Sequence, residues 1–142
     1  MNQNQIDQEL KGCHIRPTSI RRDILHIFSE QPFTLSHADL EKYTAGNYDR
    51  VTIYRTLDLF LEKGLIHKVL DDSGIARYAL GSGREHKTGI ESEHLHFKCK
   101  ECGKTICLDN VEIPDFHFPA DYKINTLNIT VEGICGPCNH TA

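Results

Sequence analysis

Two Cys-x-x-Cys pairs, Cys99-Lys-Glu-Cys102 and Cys135-Gly-Pro-Cys138, constrain this chain more than any other feature in it. A two-residue spacer lets both sulfurs of a pair face one point, and the glycines at 103 and 136 ease the tight backbone. Four thiolates so arranged suit tetrahedral zinc, which accepts sulfur readily and has no redox chemistry. They leave no coordination position open, so the site is expected to be structural, stapling the last strand to the first C-terminal ribbon. A redox dithiol or a pair of local disulfides is the competing reading. The start of the chain, MNQNQIDQELKG, argues against it, because it carries no apolar leader core. Nowhere do 18 consecutive apolar residues occur. Neither export nor membrane spanning is expected, and the cytoplasm keeps thiols reduced.

The 142 residues can bury one ordinary core or two small ones, which excludes large barrels and multi-domain doubly wound enzymes. Five of the six cysteines lie beyond residue 98, whereas helical periodicity lies before residue 65. Two domains are therefore expected, over 1–81 and 91–142, joined by a glycine-rich hinge over 82–90. The formal charge of −4 opposes a broadly basic nucleic-acid binder. It is unevenly placed, since residues 1–68 carry nine basic and nine acidic side chains and the remainder seven and eleven.

Within residues 18–30, Ile20, Ile24, Leu25, Ile27 and Phe28 recur at helical spacing behind Thr18 or Ser19 as N-cap. Ser36 and Asp39 resemble a capping box ahead of a short helix containing Leu40 and Tyr43. Asp49 can cap a third helix whose apolar face is Ile53, Tyr54, Leu57, Phe60 and Leu61, with Gly64 at its C-terminus. Two strand-like runs, LIHKVL and IARYAL, follow across the turn DDSG. Three helices and a hairpin predict a winged helix-turn-helix, the N-terminal half of an α+β chain. Its third helix would be a recognition helix, with Arg50, Thr52, Tyr54, Arg55 and Thr56 as candidates to meet bases and phosphates. Arg16, in a flexible arm before the first helix, is a candidate for a neighbouring minor groove. Each of these charges taken singly is also what a solvated face looks like.

Beyond the hinge, HLHFKC, KTICLD and NTLNITVEGIC alternate with period two, and VEIPDFHFPADYK, with two prolines, does not. His94 and His96 share a strand face. A hairpin around the first cysteine pair puts Ile106 or Cys107 opposite His96, and Cys107 has the parity to join the two imidazoles. A fourth ligand could come from His86, Glu91 or Glu93 in the hinge, or from Asp71 or His37 in the first domain. Such a mixed site would act as a sensor, a metal favouring one inter-domain arrangement and shifting the population towards it. The competing reading makes the histidines a solvated face and Cys107 a small buried apolar residue. His117 and His140 are expected to be exposed, and Cys13 to be an apolar contact beside a helix.

Taken in order, IRPTSIRRDIL, DRVTIYRTLDLFLEKGLI, HLHFKCKECGK and GICGPC resemble the ferric uptake regulator (Fur) family of bacterial metal-responsive repressors over nearly the whole chain. The resemblance implies an N-terminal winged helix that binds operator DNA and a small C-terminal α/β domain that forms a homodimer through its sheet. It also implies a regulatory metal that closes the dimer into its DNA-binding form. It assigns DNA contact to Arg16, Tyr54 and Arg55, structural zinc to Cys99, Cys102, Cys135 and Cys138, and regulatory metal to His94 and His96.

Three departures bear on the metal sites. Thr34 stands where the family's iron and peroxide sensors commonly have a histidine, and Cys107 where they have a carboxylate. Leu95, between the two histidines, replaces an acid found in many members at a further metal site. Thiolate with imidazole favours Zn²⁺ over Fe²⁺ or Mn²⁺, so a zinc uptake regulator (Zur)-like subtype is expected, silencing metal-uptake genes without any membrane or small-molecule substrate. The alternatives are an iron-responsive repressor, or a redox sensor using Cys107 or Cys13. From other classes come a zinc hydrolase built on His94, His96 and Cys107, for which no general base is evident, and a zinc-stabilised module that binds no DNA.

Overall fold

Four helices, not three, precede the first ribbon. The computed structural model describes residues 1–69, 73–81, 95–108, 111–112, 114–125 and 127–140. The chain divides into two compact units, Met1–Ser82 and Gly83–Ala142. The expected hinge, 82–90, lies outside the described residues.

The additional helix, α1 (Gln3–Gly12), occupies the stretch expected to be a flexible arm. Asn2 caps it through a reciprocal box with Gln5, each side chain bonded to the other's backbone amide at 2.9 Å. Only Ile6 and Leu10 are buried, one turn apart, and this sparse stripe is too short to register as periodicity. Helix α2 (Ser19–Glu30) starts on Thr18 and buries Ile24, Leu25 and Phe28. Arg22 on α2 donates to Asp7 on α1 at 2.7 Å, tying the two together. Arg16 consequently sits in the connection between α1 and α2, where its carbonyl accepts from the Arg21 guanidinium at 2.8 Å.

Ser36 and Asp39 form the expected capping box on α3 (His37–Tyr43), and Asp49 caps α4 (Arg50–Glu62). The turn between them uses positive φ at Ala45 and Gly46, and Tyr48 latches it to α2 by donating to Asp23 at 2.6 Å. That bond to a carboxylate pushes the Tyr48 phenol up to about 12. Gly64, at φ 73°, ends α4 and turns the chain into the sheet. The ribbon is β2 (Ile66–Val69) against β3 (Arg77–Leu80), and a two-residue strand, β1 (Leu35–Ser36), joins it in the antiparallel order β1-β3-β2. One core serves all of these elements, with Leu10, Ile24, Leu25, Leu35, Ile53 and Phe60 among its most buried side chains.

The second unit contains β4 (Leu95–Cys99), β5 (Thr105–Leu108), β6 (Ile129–Gly133) and the single-turn α5 (Gly136–His140). Its sheet runs β5-β4-β6, with β5 antiparallel and β6 parallel to β4. The described residues between 111 and 128 form neither helix nor strand. Gly133 lies opposite Cys99, and a Cβ there would meet the Phe97 ring at 3.2 Å, so the ring packs where a side chain would otherwise stand.

Because α1 is anchored through Leu10, Leu10→Ala is expected to cost about 2–5 kcal/mol in urea unfolding. Lys11→Ala, on the exposed side of the same helix, should stay within about 0.5 kcal/mol. The Arg22 guanidinium holds the Asp7 carboxyl below its ordinary range. Its stabilising contribution is therefore full above that range and lost as pH falls through the lowered value. Stability curves of the native chain and Asp7→Asn should converge in acid and separate towards neutrality.

Candidate metal centre and nucleic-acid interface

Each of the four cysteines reaches the centre by a local backbone device. Cys99 ends β4, and the turn after it, with Gly103 at φ 74°, carries Cys102 back beside it. The Gly103 amide donates to the Cys99 carbonyl at 2.9 Å, and the Lys100 amide donates to the Gly133 carbonyl at 2.8 Å. Cys135 follows β6, and the turn of α5, closed by the Asn139 amide donating to the Cys135 carbonyl at 2.8 Å, carries Cys138. The four sulfurs all lie within 4.8 Å of one another. A tetrahedron with metal–sulfur bonds of about 2.3 Å has edges of about 3.8 Å. Cys102 Sγ and Cys135 Sγ, one from each pair, are 3.9 Å apart, so the donor set fits a tetrahedral zinc.

The backbone is polarised for this purpose. The amides of Cys102 and Cys135 donate to Cys99 Sγ at 3.5 and 3.3 Å and bring its thiol down to about 6. Cys138 is pushed up to about 12 by hydrogen bonding to Cys135, then by burial and by the sulfurs of Cys99 and Cys102. A thiolate at one corner opposes ionisation at the others, and a dication at the centre removes that opposition.

A second donor set begins on the same sheet. His96 and Cys107 are directly opposed across β4 and β5, and a ring nitrogen of His96 and Cys107 Sγ lie within 4.8 Å. His96 is buried and Cys107 half-buried, so neither belongs to a solvated face. The other expected ligands, His94 and His86, together with Glu91, Glu93 and Asp71, lie outside the described residues. His37 is engaged within the first unit. Its Nε2 donates to the Arg50 carbonyl and its Nδ1 faces Glu41 Oε1, both at 3.2 Å. His117 and His140 are exposed, and half-buried Cys13 packs beside the N-terminal core.

Helix α4 turns one face outward. Ile53, Thr56, Leu57 and Phe60 are buried, while Val51, Tyr54, Arg55 and Asp58 are exposed at helical spacing. Thr56 therefore belongs to the core and not to the outer face, and its hydroxyl donates to the Thr52 carbonyl at 3.0 Å. Thr52 is half-buried and serves the cap. Its hydroxyl and its amide, the latter at 2.7 Å, bond to Asp49 and hold that carboxyl below its ordinary range. Tyr54, ambiguous by helical phase, is 45% exposed. Arg50 is exposed and donates to Glu41 at 3.2 Å. Val51, 56% exposed, was not among the expected contacts, although the spacing 51, 54, 55, 58 could have marked it.

A family model described as the ferric uptake regulator family matches residues 13–132. The ferric uptake regulation protein of Bacillus subtilis (strain 168) is 32% identical over 148 residues, covering 96% of this chain and 96% of its own. The peroxide operon regulator of the same organism is 22% identical over 147 residues, covering 93% of this chain and 90% of its own. A solved zinc uptake regulator complexed with zinc and DNA shares the fold with a TM-score of 0.63 at 21% identity, over 97% of this chain and 93% of its own. Ferric-uptake names predominate among the relatives, and the zinc-uptake subtype is not singled out. The chain has the family's N-terminal DNA-binding domain and C-terminal α/β domain, and it is a transcriptional regulator, not a hydrolase. It belongs to the ferric uptake regulator family of metal-responsive transcriptional regulators.

Proposed function

We propose that this chain is a homodimeric, cytoplasmic repressor that senses zinc and silences genes of metal uptake. The observation that carries the reading is Cys107 opposite His96 on adjacent strands, which gives the second site a sulfur donor. Thiolate and imidazole together are softer than the oxygen-rich sets that suit manganese. The remaining ligands are assigned to His94, which has the strand parity of His96, and to His86 in the hinge. Zinc held by Cys99, Cys102, Cys135 and Cys138 is assigned a purely structural role, because those four sulfurs fill its coordination shell. DNA contact is assigned to Arg16, Arg50, Tyr54 and Arg55, with Val51 as an apolar neighbour for a thymine methyl group. Thr52 contributes through the cap of α4. The names of the relatives favour a second reading, in which the same site answers to Fe²⁺.

The two metals are separated by binding measurements on a duplex selected by the protein from a random 30-bp library. Zinc beyond the structural equivalent is expected to tighten binding at least tenfold, and Fe²⁺ or Mn²⁺ to do so less. Tightening by Fe²⁺ with none by Zn²⁺ would establish the iron reading. His96→Ala and Cys107→Ser should abolish the response to added metal while one zinc per chain stays bound. Arg55→Ala should weaken binding to the selected duplex by about 1–3 kcal/mol. Cys99→Ser is expected to release the structural zinc and lower the melting temperature of the second unit, as is prolonged chelation. An unchanged melting profile after the metal has left would show that the sheet stands without it.

A further inference from the structure

We propose that His37, on α3, is a positioning residue that fixes the Tyr54 ring of the recognition helix in its DNA-reading orientation. The inference rests on the reading of Tyr54 as a DNA contact. Tyr54 stands on the outer face of α4, where a phenol with two rotatable bonds would ordinarily sample several orientations. One face of its ring is covered by the His37 imidazole, with centroids 3.9 Å apart and planes inclined by 20°. Flat aromatic pairs of this kind add attraction beyond the area they bury.

The imidazole is itself held from two helices. Its Nε2 donates to the Arg50 carbonyl at 3.2 Å, one turn before Tyr54 on α4. Its Nδ1 lies 3.2 Å from Glu41 Oε1 on α3, and the same oxygen accepts from Arg50 Nε at 3.2 Å. His37 is buried, so the pair forms a ledge with a fixed lower ring and an upper ring on a residue that stays 45% exposed. A side chain ordered before association loses less freedom on binding, which is worth about two- to tenfold in affinity per residue. Orientation also gives selectivity. A held phenol meets one register of the groove, whereas a loose one can satisfy itself on any phosphate.

The test uses the full chain loaded with zinc, the duplex it selects from a random library, and an unrelated duplex of equal length. Tyr54→Ala, His37→Ala and the double variant form a cycle, and His37→Phe and His37→Gln separate stacking from hydrogen bonding. His37→Ala is expected to weaken binding to the selected duplex by about two- to tenfold while leaving the unrelated duplex unchanged. The double variant should bind no worse than Tyr54→Ala alone. His37→Phe, which keeps a flat ring, should approach the native affinity, and His37→Gln should resemble the alanine variant. Additive losses in the double variant, or a native-like glutamine variant beside a defective phenylalanine one, would overturn the positioning role while leaving Tyr54 as a contact. Native binding by Tyr54→Ala would instead remove Tyr54 from the interface and the proposal with it.

Discussion

Two backbone amides, those of Cys102 and Cys135, converge on the sulfur of Cys99, and the C-terminal unit is organised around that convergence. The sheet runs β5-β4-β6, and few side chains among its described residues are buried. A parallel neighbour such as β6 also cannot be joined to β4 by a tight hairpin. Four sulfurs that could share one metal bring the end of β6 to the end of β4 and would replace the missing local connection. The same turn sets the pairing of β4 with β5. A slip of one residue there would move Cys107 to the opposite face from His96, so the structural centre also determines whether the second donor set exists.

The N-terminal unit solves a different problem. Its ten basic and eleven acidic residues provide little general attraction to a polyanion. Affinity must therefore come from shape and from a few fixed side chains. Caps do much of the fixing. Asp49 sets the first turn of α4, Ser36 that of α3, and the bond from Tyr48 to Asp23 pins the turn between them. Arg50, Val51, Tyr54 and Arg55 follow directly from that capped start, where a recognition helix enters the groove.

Much of this was legible in the sequence because it is written in local chemistry. The caps at Thr18, Ser36 and Asp49, the turn at Gly64 and the two cysteine pairs each declare themselves within a few residues. The pairing of His96 with Cys107 followed from strand parity and one hairpin. Other features depended on tertiary context. Helix α1 offers only Ile6 and Leu10, and it forms because α2 supplies a surface and Arg22 a partner for Asp7. The strand at Leu35–Ser36 is two residues long and exists only as an addition to β3. Thr56 reads as polar, but helical phase places it in the core with its hydroxyl satisfied by the preceding turn. The stack of His37 on Tyr54 joins residues 17 positions apart on different helices, and no periodicity within either segment signals it.

The identity of the sensed metal turns on whether a sulfur from Cys107 joins the second centre. An anomalous-scattering map at the zinc edge, from crystals of the full chain supplied with two equivalents of zinc, addresses this directly. Zinc sensing predicts two peaks per chain, one surrounded by Cys99, Cys102, Cys135 and Cys138 and the other bonded to Cys107 and His96. A single peak at the four cysteines, or a second zinc with Cys107 turned away from it, would contradict zinc sensing through this site.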